Sequence, residues 1–199
     1  MALKNFGECV FASEIDDRAA EIYQKNFPTK IRGDITKILE NEIPQFDFLC
    51  AGFPCQPFSK GGAREGFADT RGTLFFEICR IVNFHKPKFI LIENVPNLVS
   101  HDGGKTYATI LKNLQKLNYA VPRTPLILSP ENFGFPAQRP RIYIPAIRRD
   151  FCENDFLDLD FSDDFQNCEK NIYSILEKTG DFSKFKISNY EEKILKFEK

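Results

Sequence analysis

The chain has 199 residues, 42% of them hydrophobic, and a formal net charge of −1. That length supports a domain with a real core, and no apolar run approaches the length of a membrane span. Six cysteines without a CxxC pair and only two histidines argue against a zinc site, so no metal is expected. The first residues lack the charged-then-apolar pattern of a signal peptide, and a cytoplasmic protein is expected. The small net charge hides an asymmetry. Residues 1–150 carry 20 Lys+Arg against 16 Asp+Glu, and residues 151–199 carry 7 against 12. A boundary at Asp150 is expected between a mildly basic domain and an acidic C-terminal segment.

In chain order, Cys9 to Ile15 reads as a strand. A helix is expected from Asp17 to Phe27, with Ala20, Ile22 and Tyr23 facing the core. Ile31 to Ile35 reads as a short strand and turn, followed by a weak helix to about Ile43. Asp47 to Ala51 is a buried strand, and it leads into GFPCQPFSKGG at Gly52–Gly62. Thr73 to His85 has helical spacing, with Thr73 as a cap. Lys88 to Glu93 is a second buried strand, Lys105 to Leu117 a helix, and Tyr119–Leu128 and Arg141–Ile147 further strands. Strands alternating with helices predict an α/β fold with a doubly wound, mostly parallel sheet.

Chemistry-bearing residues gather at strand ends. Cys55 lies between Pro54 and Gln56-Pro57, where few backbone conformations are open and a thiol can be aimed in advance. The glycines that follow suit a closing loop. Glu93 ends a strand, and Arg139 and Arg141 flank Pro140. In a parallel sheet such ends share one face, so a thiol, a carboxylate and two guanidiniums could meet over one substrate. Glu14 and Asp34 also follow strands, where an acid often binds ribose hydroxyls. Taken singly each has an ordinary reading: a core cysteine, a helix cap, a surface arginine.

The ordered set AGFPCQPFS, RGTLFF, ENV and QRPRIYI, with ASEID and GDIT before it, resembles the DNA cytosine-5 methyltransferases of bacterial restriction–modification systems. The resemblance spans roughly residues 2 to 150. It implies a methyltransferase-type Rossmann-like fold, S-adenosylmethionine as cofactor and double-stranded DNA as substrate. Cys55 would attack carbon 6 of a flipped-out cytosine, and Glu93 would protonate ring nitrogen 3. Arg141 would contact the base, with Arg139 beside it. The resemblance further implies Glu14 and Ile15 at the ribose and adenine, Asp34 and Ile35 at the adenine edge and face, and Pro54 and Leu74 lining the pocket. Gln56, Ser59, Arg71, Asn94 and Val95 would face DNA. The family's Phe-x-Gly-x-Gly first strand and its target-recognition domain have no counterpart here. The expectation is an incomplete catalytic domain over 1–150 and, over 151–199, the start of a link to a recognition domain. Two readings follow: one piece of a split enzyme that a second polypeptide completes, or a non-catalytic fragment with weak nucleic-acid or partner binding.

Overall fold

The computed structural model describes residues 5–54 and 74–166. Strands β1 (Ala12–Ser13) and β2 (Ile31–Arg32) form a parallel pair, joined by helix α1 (Asp17–Asn26). A second sheet is built from β3 (Phe48–Gly52), β4 (Phe89–Asn94), β5 (Tyr119–Pro122), β6 (Leu126–Leu128), β7 (Arg141–Arg148) and β8 (Phe156–Leu157). Its order is β3-β4-β7-β5-β8, with β6 also on β7. Helix α2 (Leu74–His85) connects β3 to β4, and α3 (Lys105–Lys116) precedes β5. In this sheet only β7 runs against its neighbours, pairing antiparallel with β4, β5 and β6 while β3–β4 and β5–β8 are parallel. The α/β architecture expected from the alternation is present, but the sheet is mixed: β7, inserted between β4 and β5, makes its three ladders antiparallel.

The core follows from side-chain spacing. Ile90 and Ile92 alternate on β4, as do Ile142, Ile144 and Ala146 on β7, and all five are buried. An alternation of two in register across an antiparallel ladder places them on one face. Phe75, Ile78 and Val82 of α2, and Ile110 and Leu114 of α3, recur at helical spacing and complete the same cluster. Tyr119 is fully buried, and its hydroxyl donates to the Pro87 carbonyl at 2.6 Å. After α3, Asn118 takes a φ of +71°, the left-handed conformation that commonly ends a helix.

Several expectations need correction. The strand expected over Cys9–Ile15 is only Ala12–Ser13, and the weak helix before Ile43 is two 3-10 turns, Ile35–Lys37 and Glu40–Glu42. Tyr119–Leu128 is two strands, because Arg123, Thr124 and Pro125 turn the chain between them. Helix α1 forms as expected, with Asp16 capping it through the Ala19 N–H at 2.8 Å, yet none of its residues is buried. Ile22 is 63% exposed, because no described element covers the outer face of that helix. Thr73, the loop glycines and the segment past Gln166 lie outside the described residues.

Among the described residues, β1 pairs only with β2, and β3 pairs only with β4. The expected single sheet is therefore two sheets without a shared ladder. Stability should differ accordingly between them. Ile144→Ala, in the centre of β7, should cost about 2–5 kcal/mol, whereas Ile22→Ala should stay within about 0.5 kcal/mol. Urea denaturation midpoints of the two variants provide the check.

Candidate active site

The candidate site is assembled at the end of β4. Parallel pairing with β3 sets Gly52 opposite Glu93, and antiparallel pairing with β7 sets Glu93 opposite Tyr143 and Asn94 opposite Ile142. Because β7 runs the other way, its first residue lies beside the last residues of β4. Arg141 reaches back from there, and its Nε forms an ion pair with Glu93 Oε1 at 2.8 Å. One Nη of the same guanidinium donates to the Pro140 carbonyl at 2.8 Å, which fixes the plane of the group. The Arg141 side chain is 20% exposed and that of Glu93 43%, so the carboxylate stays open to an incoming group.

Glycine at position 52 suits this arrangement. A Cβ there would stand 3.5 Å from Glu93 Oε2, in van der Waals contact with the carboxylate, and any larger side chain would press upon it. Next along the chain, Phe53 is buried and Pro54 exposed. Asn94 ties this exit to β4. Its side-chain N–H donates to the Phe53 carbonyl at 3.2 Å, and its side-chain oxygen accepts from the Val95 N–H at 2.8 Å. At 2% exposure Asn94 is an internal brace at this strand end, not an exposed contact. Val95 is half-buried.

Cys55, Gln56, Ser59 and Arg71 lie outside the described residues; Cys55 follows Pro54 directly in the chain. Arg139 is exposed, and its backbone N–H donates to the buried Ser129 hydroxyl at 3.1 Å. That bond anchors the loop before β7 from a residue with no sequence signal of its own.

The second group of expected residues gathers on the two-stranded sheet. The Glu14 N–H donates to the Arg32 carbonyl at 3.0 Å, prolonging the β1–β2 ladder so that Glu14 and Asp34 stand at neighbouring strand ends. Glu14 Oε1 accepts from the Asp16 N–H at 2.9 Å. Asp34 Oδ1 accepts from the Thr36 hydroxyl at 2.8 Å and its N–H at 3.0 Å. These bonds, the hydroxyl foremost, hold the Asp34 carboxyl below its usual pKa. Ile15 is 73% exposed and Ile35 half-buried, so each carboxylate has an apolar neighbour. The set fits a nucleoside: oriented carboxylates for hydroxyls and exocyclic amines, with apolar side chains for the purine faces. Leu74, at the start of α2, packs on the main core with Phe53 nearby in the same cluster.

Cys9 and Cys50 are exposed, Cys50 on β3, whose outer edge has no partner among the described residues, while Cys79 and Cys152 are half-buried. Burial pushes the Cys79 thiol up to about 11. It also raises Cys50, with a smaller contribution from Cys9.

The family model for C-5 cytosine-specific DNA methylase matches residues 1–198. The type II methyltransferase M.BanI of Aneurinibacillus aneurinilyticus is 51% identical over 140 residues, covering 70% of this chain and 32% of that protein. The type II methyltransferase M.MspI of Moraxella sp is 41% identical over 199 residues, covering 98% of this chain and 44% of that protein. Among solved structures, the S. pombe Dnmt2 methyltransferase aligns with a TM-score of 0.67 at 25% identity, covering 95% of this chain and 59% of that one. The chain thus spans less than half the length of these curated relatives.

The thiol environments lead to a direct test. At pH 8 a thiol with a pKa of about 11 is ionised in about one molecule in a thousand. Iodoacetamide labelling, read peptide by peptide, should therefore modify Cys79 far more slowly than exposed Cys9. Equal rates would contradict the burial of Cys79.

Proposed function

The chain belongs to the C-5 cytosine-specific DNA methylase family, and we propose that it carries the catalytic centre of a DNA cytosine-5 methyltransferase acting on double-stranded DNA in the cytoplasm. The observation that supports this most is the 2.8 Å pair of Glu93 with Arg141, set beside the strand end that leads into Cys55. A cytosine flipped out of the duplex would present its ring to this end of the sheet. The Cys55 thiolate forms a bond to carbon 6, and the ring electrons move toward carbon 5. Glu93, held by Arg141, supplies the proton at ring nitrogen 3, so that negative charge does not accumulate on the base. Arg139 and Arg141 keep the site electropositive, which favours the thiolate.

S-adenosylmethionine, when bound, supplies the methyl group to carbon 5. Glu14 and Asp34 orient its ribose and adenine, with Ile15, Ile35, Pro54 and Leu74 as the apolar lining. Loss of the carbon-5 proton to solvent water then restores the ring double bond as the bond from carbon 6 to sulfur breaks, which frees Cys55 as the thiolate, and the proton on ring nitrogen 3 returns to Glu93. Gln56, Ser59, Arg71 and Val95 are assigned to DNA contacts. The residues to Asp150 form the catalytic domain, and those beyond begin the link to a recognition domain.

A second reading draws on the edges of β1 and β3, which have no strand partner among the described residues. Val10 and Phe48, at or beside those edges, are 49% and 37% exposed. A strand supplied by a second polypeptide would cover both and join the two sheets. The chain would then be one piece of a split enzyme.

Both readings meet one experiment. DNA containing 5-fluorocytosine cannot release the enzyme by proton loss from carbon 5, so a functioning centre forms a stable covalent complex in the presence of S-adenosylmethionine. The chain should form that complex, alone under the first reading or with its complementing polypeptide under the second. Cys55→Ala should abolish it, and Glu93→Gln should slow it by about a hundredfold. Trapping that survives Cys55→Ala would remove the nucleophile assignment.

A further inference from the structure

The two groups of cofactor residues stand on sheets that share no backbone ladder, so something other than strand pairing must set their spacing. Glu14 and Ile15 directly follow β1, and Asp34 and Ile35 stand in the turn after β2, whereas Leu74 begins α2 on the six-stranded sheet. Side chains of α2 bridge the two.

Arg80, in the middle of α2, makes four polar contacts. One Nη donates to the Ile35 carbonyl at 3.2 Å and to the Ile38 carbonyl at 3.0 Å. The other lies 3.0 Å from Glu40 Oε1. Its Nε donates to Glu77 Oε2 at 2.8 Å, one turn back on the same helix. Glu77 thus aims the guanidinium, and its remaining donors hold the turn that follows Asp34. The next residue, Ile81, packs with Ile38 and Ile43 directly beneath that turn.

We infer that Arg80 is a positioning residue for the cofactor: it clamps the Asp34–Ile35 turn to α2 and so fixes the adenine-binding group relative to the catalytic strands. The inference rests on the cofactor reading above, but its geometry is independent of that reading. Two carbonyls and two carboxylates arranged around one residue match the planar five-donor fork of arginine, and a lysine ammonium cannot reach all four at once. The carbonyls of Ile35 and Ile38 belong to short 3-10 turns with few backbone bonds of their own, so their placement depends on an external donor. Arg80 therefore acts on ligand affinity through the segment it holds, without touching substrate.

The test uses the full chain and three variants: Arg80→Met, which keeps the aliphatic stem, Arg80→Lys, and Ile144→Val as a core-stability control. Amide hydrogen exchange should show residues 34–39 exchanging faster in Arg80→Met while β3, β4 and β7 keep their protection. Calorimetric affinity for S-adenosylmethionine should fall about tenfold in Arg80→Met and by an intermediate amount in Arg80→Lys. Ile144→Val should lower the melting temperature without either effect. Unchanged exchange at 34–39, or loosening spread evenly over the sheet, would overturn the clamp. Failure of the unaltered chain to bind S-adenosylmethionine would instead overturn the cofactor reading, and the exchange pattern would still decide the role of Arg80.

Discussion

The two ladders of β4 govern the candidate active site. β4 runs parallel to β3 and antiparallel to β7, and this difference in direction brings a strand end and a strand start together. In an all-parallel sheet, the residue beside Glu93 would belong to the end of a strand. Here it is opposite Tyr143, two residues into β7, and Arg141 needs only its own side-chain length to reach the carboxylate. The contact is thus fixed by backbone pairing and needs no loop to fold over. As a half-exposed ion pair it adds little to stability. Its value is directional, since a carboxylate with one oxygen held by a guanidinium presents the other in a defined position.

The same register explains the rest of the neighbourhood. Glu93 lies over Gly52, where the absence of a side chain leaves room for the carboxylate. Asn94, one residue on, points to the opposite face and is buried, as the alternation of a strand requires. There its amide bridges the two strand ends, bonding a β3-side carbonyl and its own next N–H. A buried amide with both ends satisfied costs little and holds two chains in register. Adjacent residues thus differ in setting: Glu93 is a partly exposed carboxylate paired with Arg141, and Asn94 is a buried brace between the strand ends.

Much of this was legible in the sequence because the relevant signals were local. The apolar runs of β4 and β7, and the helical spacing of Phe75, Ile78 and Val82, mark the core, and alternate residues of the two strands and all three of the helix are buried. The run of β3 reads as buried too, yet none of Phe48–Gly52 is, because its outer edge has no strand partner among the described residues. The ends of the same runs marked Glu93 and Arg141 as neighbours in a common site. What escaped depended on distant partners or on their absence. Ile22 has the spacing of a core residue, yet periodicity only states which face would be buried, not whether anything covers it. Asn94 reads as exposed chemistry in Glu-Asn-Val, because its acceptor, the Phe53 carbonyl, lies 41 residues upstream. Arg80 carries no local sequence signal for the same reason, with partners 42 and 45 residues away. The stretch before Ile43 reads as a helix, yet it forms the 3-10 turns Ile35–Lys37 and Glu40–Glu42, each closed by its own side-chain bond, from Asp34 and from Glu42.

The uneven distribution of burial has a thermodynamic consequence. The main cluster lies on the six-stranded sheet, α2, α3 and the adjoining Phe53 and Leu98, while among the described residues the second cluster has only Ile38, Ile43 and Ile81 buried. Segments with few buried apolar contacts open at lower free energy than the core they adjoin. The expected nucleophile strand and Glu93 therefore stand on the rigid unit, and Glu14 and Asp34 on the looser one. A ligand that bridges the two units must order the second against the first, which takes from its affinity what the contacts provide. Anything that ties the units together beforehand, whether a side chain of α2 or a strand between β1 and β3, removes part of that cost. On the proposed reading, cofactor affinity would be a property of the junction between the sheets as much as of the residues assigned to the nucleoside.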